Sequence, residues 1–226
     1  MTDDEKRNGI SAKTKRFIPF EMGMPSNIQD GVLPQYYQEP TKIVIDWSRE
    51  AVRGMRKEKH SDLANEEFRF LKYKNHISFS FTGQYAPTFR IASAPIFLNA
   101  ASRIIINDEK TRNFLLGCLN SNLIRYIVKN FINHTVNFEV DDVKQIIIPP
   151  HKTNERMISL VLSIISKQKQ NPRYDYMSNE QVEIDRLVYK MYNLSEEDIQ
   201  EVENWFYRRY PKLARVIEEK LAIKGG

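Results

Sequence analysis

The chain has 226 residues, 41% hydrophobic and 28% charged, with 12 Phe and 11 Tyr; this suffices for a sizeable buried core and excludes an intrinsically disordered polypeptide. The formal net charge of +5 is unevenly spread, with 18 Lys/Arg against 11 Asp/Glu in residues 10–130 and 14 against 15 in residues 131–226, so a localised basic surface is expected. A single cysteine excludes an internal disulfide, no run of 18 apolar residues exists, and the acidic start Met1-Thr2-Asp3-Asp4-Glu5 is unlike a signal peptide, which together point to a cytoplasmic protein.

In chain order, residues 1–16 are polar and read as a flexible N-terminal tail. Pro19, Pro25, Pro34 and Pro40 mark an irregular, extended lead-in. Residues 41–107 read as β-rich. Lys42-Ile43-Val44-Ile45-Asp46-Trp47 is β-branched, and Phe68–Tyr73 partly alternates. Ile77, Phe79 and Phe81 alternate with Ser78, Ser80 and Thr82, predicting an apolar face and a polar, outward face. Further short strands are expected at Ile91, Ile96–Leu98 and Arg103–Ile106.

Helical period begins near residue 111, with Leu115, Cys118 and Leu119, then Leu123, Ile124, Ile127 and Val128, broken by Asn120-Ser121-Asn122, which caps the second helix. Cys118 lies in an apolar run and reads as a buried, inert thiol. Thr135–Glu139 and Ile146–Ile148 read as short strands, the second ended by Pro149-Pro150. The remainder reads as helix: 153–169, a segment opened by a capping box at Ser178–Gln181, one opened by Ser195-Glu196-Glu197-Asp198, and a last one restarted by Pro211. The order predicts an α+β fold with three parts: tail 1–16, a β-rich target-recognition domain 17–150, and a helical segment 151–226.

Most catalytic motifs fail on context. Asn171-Pro172-Arg173-Tyr174 approximates an adenine-flipping Asn-Pro-Pro-Tyr motif but has Arg at the third position and sits between two helices, so it reads as a turn. Glu139, Asp141, Asp142 and Lys144 are the nearest approach to a nuclease cluster, but Asp141-Asp142 fits a helix cap. The four histidines show no ligand spacing. Neither a catalytic nor a metal site is expected.

The positive signal is nucleic-acid contact. Arg49, Arg53, Arg56, Lys57 and Lys59 fall within eleven residues, and on a helix the first four share one face suited to phosphates; a solvated helix face fits the same pattern. Lys72, Lys74 and Arg103 are further phosphate candidates. Ser80, Thr82, Gln84, Tyr85 and Arg90 are the candidate base readers, since Gln can bond adenine and Arg guanine through two hydrogen bonds. Arg208-Arg209 reads as a helix-end basic pair that complements the macrodipole.

Three segments carry a family resemblance. They are Phe17-Ile18-Pro19-Phe20 with Ile43-Val44-Ile45-Asp46-Trp47, then Phe114-Leu115-Leu116-Gly117-Cys118-Leu119-Asn120-Ser121 with Ile148-Pro149 downstream, and Ile184-Asp185-Arg186-Leu187-Val188-Tyr189 with Tyr192-Asn193-Leu194-Ser195-Glu196-Glu197-Asp198-Ile199. In this order they resemble the TaqI-like C-terminal specificity region of bacterial adenine-specific DNA methyltransferases, including type IIG restriction–modification enzymes and those of BREX phage-defence systems. The segment from Ser80 to Arg90 is similar to that family's Ser/Thr-Gly loop followed by an arginine. The resemblance implies a chain that binds double-stranded DNA and supplies target recognition to a methyltransferase domain or subunit, in cis or in trans. S-adenosylmethionine would then bind the catalytic partner and not this chain. The rival readings are a DNA-modifying enzyme, either a degenerate methyltransferase or a nuclease, and a protein-interaction subunit that does not meet DNA.

Overall fold

A computed structural model of the protein describes residues 2–11, 15–21, 35–58, 76–81, 86–92, 96–97, 102–149 and 154–225. β-Branched and aromatic residues of the first half form two small sheets, and the period-3.6 stretches of the second half form helices, giving the α+β fold. The first sheet has the order β3-β1-β6, with β1 (Phe17–Glu21) antiparallel to β3 (Val44–Asp46) and parallel to β6 (Ile96–Phe97). The second has the order β2-β5-β4-β7, built from β2 (Tyr36–Tyr37), β4 (His76–Phe79), β5 (Phe89–Ala92) and β7 (Arg103–Ile104). β4 is antiparallel to both neighbours, with Ile77 opposite Ile91 and Ile104.

Two helices belong to the first half, α1 (Asp3–Asn8) and α2 (Arg49–Glu58). The rest follow the second sheet: α3 (Glu109–Leu119), α4 (Asn122–Ile127) continuing as a π-helical turn to Ile132, α5 (Val140–Val143), α6 (Glu155–Gln170), α7 (Glu180–Met191), α8 (Glu196–Arg209) and α9 (Pro211–Gly225). Asn120-Ser121 ends one helix and opens the next. Ser121 Oγ accepts from Ile124 N, while Asn120 clasps the β5 backbone, accepting from Phe89 N at 3.1 Å and donating to Phe89 O at 2.8 Å. α8 opens at Ser195 as expected, and Ser195 and Asp198 form a capping box there.

The second sheet and α3, α4, α6, α7 and α8 enclose one core that runs from Tyr36 to Val202, with Phe79, Phe89 and Phe138 packed edge-on at its centre. This core crosses residue 150 without a break, so the helical segment packs as part of the same body as the β-rich half. A second, smaller core of Ile10, Ile18, Phe20, Trp47 and Val52 lies under the first sheet.

Several expectations need correction. Within the expected tail 1–16, the described residues 2–11 are not free: Thr2 and Glu5 form a capping box on α1, Ile10 is buried, and Trp47 Nε1 donates to Glu5 O at 3.1 Å. A tryptophan far along the chain supplies the apolar surface that a polar segment cannot supply for itself. Residues 146–148 hold no strand, and 135–139 keep only a one-residue β-bridge at Asn137, with Phe138 N donating to Phe81 O at 2.7 Å; Asp142 accepts from Glu139 N at 2.8 Å and opens α5 just beyond. The box at Ser178 does not form, because the Gln181 N–H that it would cap donates to Tyr176 O at 3.0 Å. The strand expected at 68–73 lies outside the described residues.

α3 and α6 approach most closely at Gly117, where an added Cβ would lie 2.6 Å from Met157 Sδ and 3.1 Å from Val161 Cγ2. Gly117→Val is therefore expected to cost roughly 1–3 kcal/mol by overpacking. The measurement is a lower urea midpoint at unchanged slope, and an unmoved midpoint would show that the helices separate freely.

Candidate nucleic-acid interface

The first basic cluster is placed by α2. Val52 is fully buried and anchors the helix on the small core beside Trp47, and Ser48 Oγ accepts from Ala51 N at the helix start. At about 100° per residue, Arg49, Arg53, Arg56 and Lys57 fall on an arc of roughly 100° beside Val52. All four are exposed. Two of them meet the N-terminal helix: Arg49 Nη2 lies 2.7 Å from Asp4 Oδ2, and Arg56 Nη2 donates to Arg7 O at 3.1 Å and Asn8 Oδ1 at 3.0 Å. Arg53 and Lys57, one turn apart, face solvent with no partner among the described residues. The exposed Arg49–Asp4 pair contributes only about 0–1 kcal/mol and does not prevent a phosphate from engaging Arg49. Lys59, Lys72 and Lys74 lie outside the described residues.

The base-reading assignment changes more. Ser80 and Arg90 are buried, Arg90 completely. Arg90 Nη1 donates to Ser80 Oγ at 2.7 Å and its Nε to Gln38 Oε1 at 2.5 Å. Burial pulls its pKa down to about 10, against the opposing charge of Glu21 and with that of Arg103. Neither residue can reach a base edge from this fold. Arg103 leaves the phosphate set for the same reason: its side chain is 1% exposed and its Nη2 sits 2.7 Å from Glu21 Oε2. The physical cause is topological. β4 is an internal strand, and its serine face is covered too. Ser78 stands between Arg90 on β5 and Arg103 on β7, and Glu21 of the first sheet reaches Arg103 across that layer. The serines are small polar residues that leave room for two guanidinium groups and do not coat a wetted surface. Thr82, Gln84 and Tyr85 lie outside the described residues.

The structure brings together cations that the sequence left apart. Three residues before β5, Ala86 N donates to Tyr210 Oη at 3.0 Å. The Arg125 guanidinium lies over the Tyr210 ring at 5.6 Å. Lys129 Nζ donates to Thr135 O at 2.6 Å, and its pKa is lowered first by burial and then by the charge of Arg209. Beside them Phe131 is 72% exposed, and His134 through Asn137 are exposed. Ala86 is thus tied to Tyr210, the neighbour in sequence of Arg209, whose charge acts on Lys129. Nothing local in the sequence links Lys129 to Arg209, because α5, α6 and α7 intervene.

The rejected motifs have structural roles. Asp141 pairs with Lys144 at 2.8 Å. Tyr174, at the end of the Asn171-Pro172-Arg173-Tyr174 turn, donates to Glu180 Oε2 at 2.8 Å and accepts from Lys167 at 3.0 Å. Cys118 is fully buried, which pushes its thiol up to about 12. Among the described residues no group of three or more His, Cys, Asp or Glu side chains could hold a metal ion, and no helix is long and apolar enough to cross a membrane.

No protein-family model matches the chain, and no curated protein sequence matches it.

Proposed function

We propose that this chain is a sequence-specific DNA-binding specificity module that acts in the cytoplasm for an adenine-specific methyltransferase of a restriction–modification or phage-defence system. The observation that carries the reading is the arginine face of α2. A helix fixed by the buried Val52 presents Arg49, Arg53, Arg56 and Lys57 together, with Arg53 and Lys57 facing water. The resemblance of the three quoted segments to TaqI-like specificity regions supplies the partner, a methyltransferase domain or subunit that binds S-adenosylmethionine. Phosphate contacts on α2 would set register. Base contacts would fall to Thr82, Gln84 and Tyr85.

The test is fluorescence anisotropy on a randomised duplex pool over a salt series. The wild-type chain should bind with steep salt dependence. The double variant Arg53→Ala with Lys57→Ala should lose about tenfold or more in affinity and shallow the salt slope by about two ions, for every sequence alike. Gln84→Ala should leave the slope and relax preference at one base position, a change of roughly 1–3 kcal/mol in discrimination. Absence of binding at low salt would overturn the reading in favour of a protein-interaction subunit, and methyl transfer by the pure chain in favour of an enzyme.

A further inference from the structure

A cleft of about 640 Å³ lies between α7, α8 and α9, at the N-terminus of α4 and away from the α2 face. Its walls are apolar, with Met177, Phe206 and Ile217 among them. Its floor is polar and includes Asn122, Gln181, Asp185, Tyr189 and Glu203. Asn122 and Asp185 are 6% and 5% exposed, more buried than solvent-facing carboxylates and amides normally are.

Its own donors, the Gln181 amide and the Tyr189 hydroxyl, are already given to Asp185 and Glu203, and acceptor oxygens are left over. Asn122 Oδ1 is buried without a hydrogen-bond partner. Asp185 Oδ1 accepts from Asn122 N at 2.8 Å and Gln181 Nε2 at 3.2 Å, and no hydrogen bond reaches its Oδ2 among the described residues. Glu203 Oε1 takes the Tyr189 hydroxyl, leaving its other oxygen open in the same way. The Arg125 guanidinium lies over the Tyr210 ring and has the weakest influence of those acting on Asp185. Arg186 and Lys190 stand exposed at the rim, where water screens them. A buried acceptor left unmatched is costly, so the complement of this floor is a group with several N–H donors and a positive charge.

We infer that the cleft binds a small organic cation, an alkylguanidinium or alkylammonium, with its N–H donors on Asn122, Asp185 and Glu203 and its apolar stem along Phe206 and Ile217. A planar guanidinium suits the site best, since its donors diverge in one plane and can serve separate acceptors at once. Such a ligand would bind whether or not the chain meets DNA.

The probe is agmatine, compared with spermidine and with a neutral alcohol of the same stem length, titrated into the full chain by calorimetry. Agmatine should bind at least about tenfold more tightly than the alcohol, and Asp185→Asn and Glu203→Gln should each weaken it by about tenfold or more. Spermidine binding as well as agmatine would support the alkylammonium source of the same chemistry. Should either variant fail to fold, the Met177 methyl resonance of the wild-type chain provides the readout, and agmatine should shift it where the alcohol does not. No agmatine binding at millimolar concentration, or equal binding of the alcohol, would overturn the inference.

Discussion

Glu21→Ala is expected to cost about 3–5 kcal/mol of folding stability. Glu21 and the Arg103 side chain are 2% and 1% exposed, and their contact spans 82 residues of sequence and joins the two sheets. Arg90, fully buried in the same layer, feels the Glu21 charge as its principal support against desolvation. Removing the carboxylate leaves two guanidinium groups side by side in a poorly hydrated layer, each charged and each repelling the other. The loss should be read as a lower urea midpoint. Replacing the pair together, Glu21→Leu with Arg103→Met, should recover most of it, because a matched apolar pair removes the stranded charge along with its partner. A loss under about 1 kcal/mol for Glu21→Ala would mean that water reaches the layer.

The second large effect depends on pH. Burial pushes the Asp185 carboxyl up from 3.8 to about 7; the Asn122 N–H and Gln181 amide oppose this, the Glu203 charge adds to it, and Arg125 acts weakly against it. The folded chain thus holds this proton more tightly than the unfolded chain. The stabilisation is complete below about pH 4 and is lost as pH climbs to about 7, by at most about 4 kcal/mol. Asp185→Asn removes the titration and keeps an oxygen for the Asn122 N–H. Its melting temperature should therefore gain on the wild type steadily from pH 4 to pH 7 and hold that lead at pH 8. A difference that stays flat across this range would show that Asp185 titrates as an ordinary surface carboxylate.

The contact beneath that prediction also explains two of the segments that carry the resemblance. Asn122, just after the Leu119-Asn120-Ser121 stretch, gives its backbone N–H to Asp185 of the Ile184-Asp185 segment, while Asn120 holds β5. Both short polar signatures therefore serve packing. They position the sheet against the helices.

Local sequence determined much of this protein. Helical period and caps were sufficient for α3, α4, α6 and α8, since Ser121 and Ser195 satisfy the first free N–H groups of their own helices. The spacing of Arg49, Arg53, Arg56 and Lys57 was sufficient for a shared cationic face, because i, i+4 geometry is intrinsic to a helix. The burial of Cys118 followed from its apolar neighbours. Only the tertiary structure decided the fate of Ser80, Arg90 and Arg103. Alternation along a strand separates its two faces but does not say whether the polar face meets water or another sheet. The residues that settle this, Glu21 and Gln38, come from distant β1 and the segment after β2. The same holds for Ile10 and Trp47, which turned an apparently free tail into part of a core, because burial is a property of the partners that arrive and not of the segment they cover.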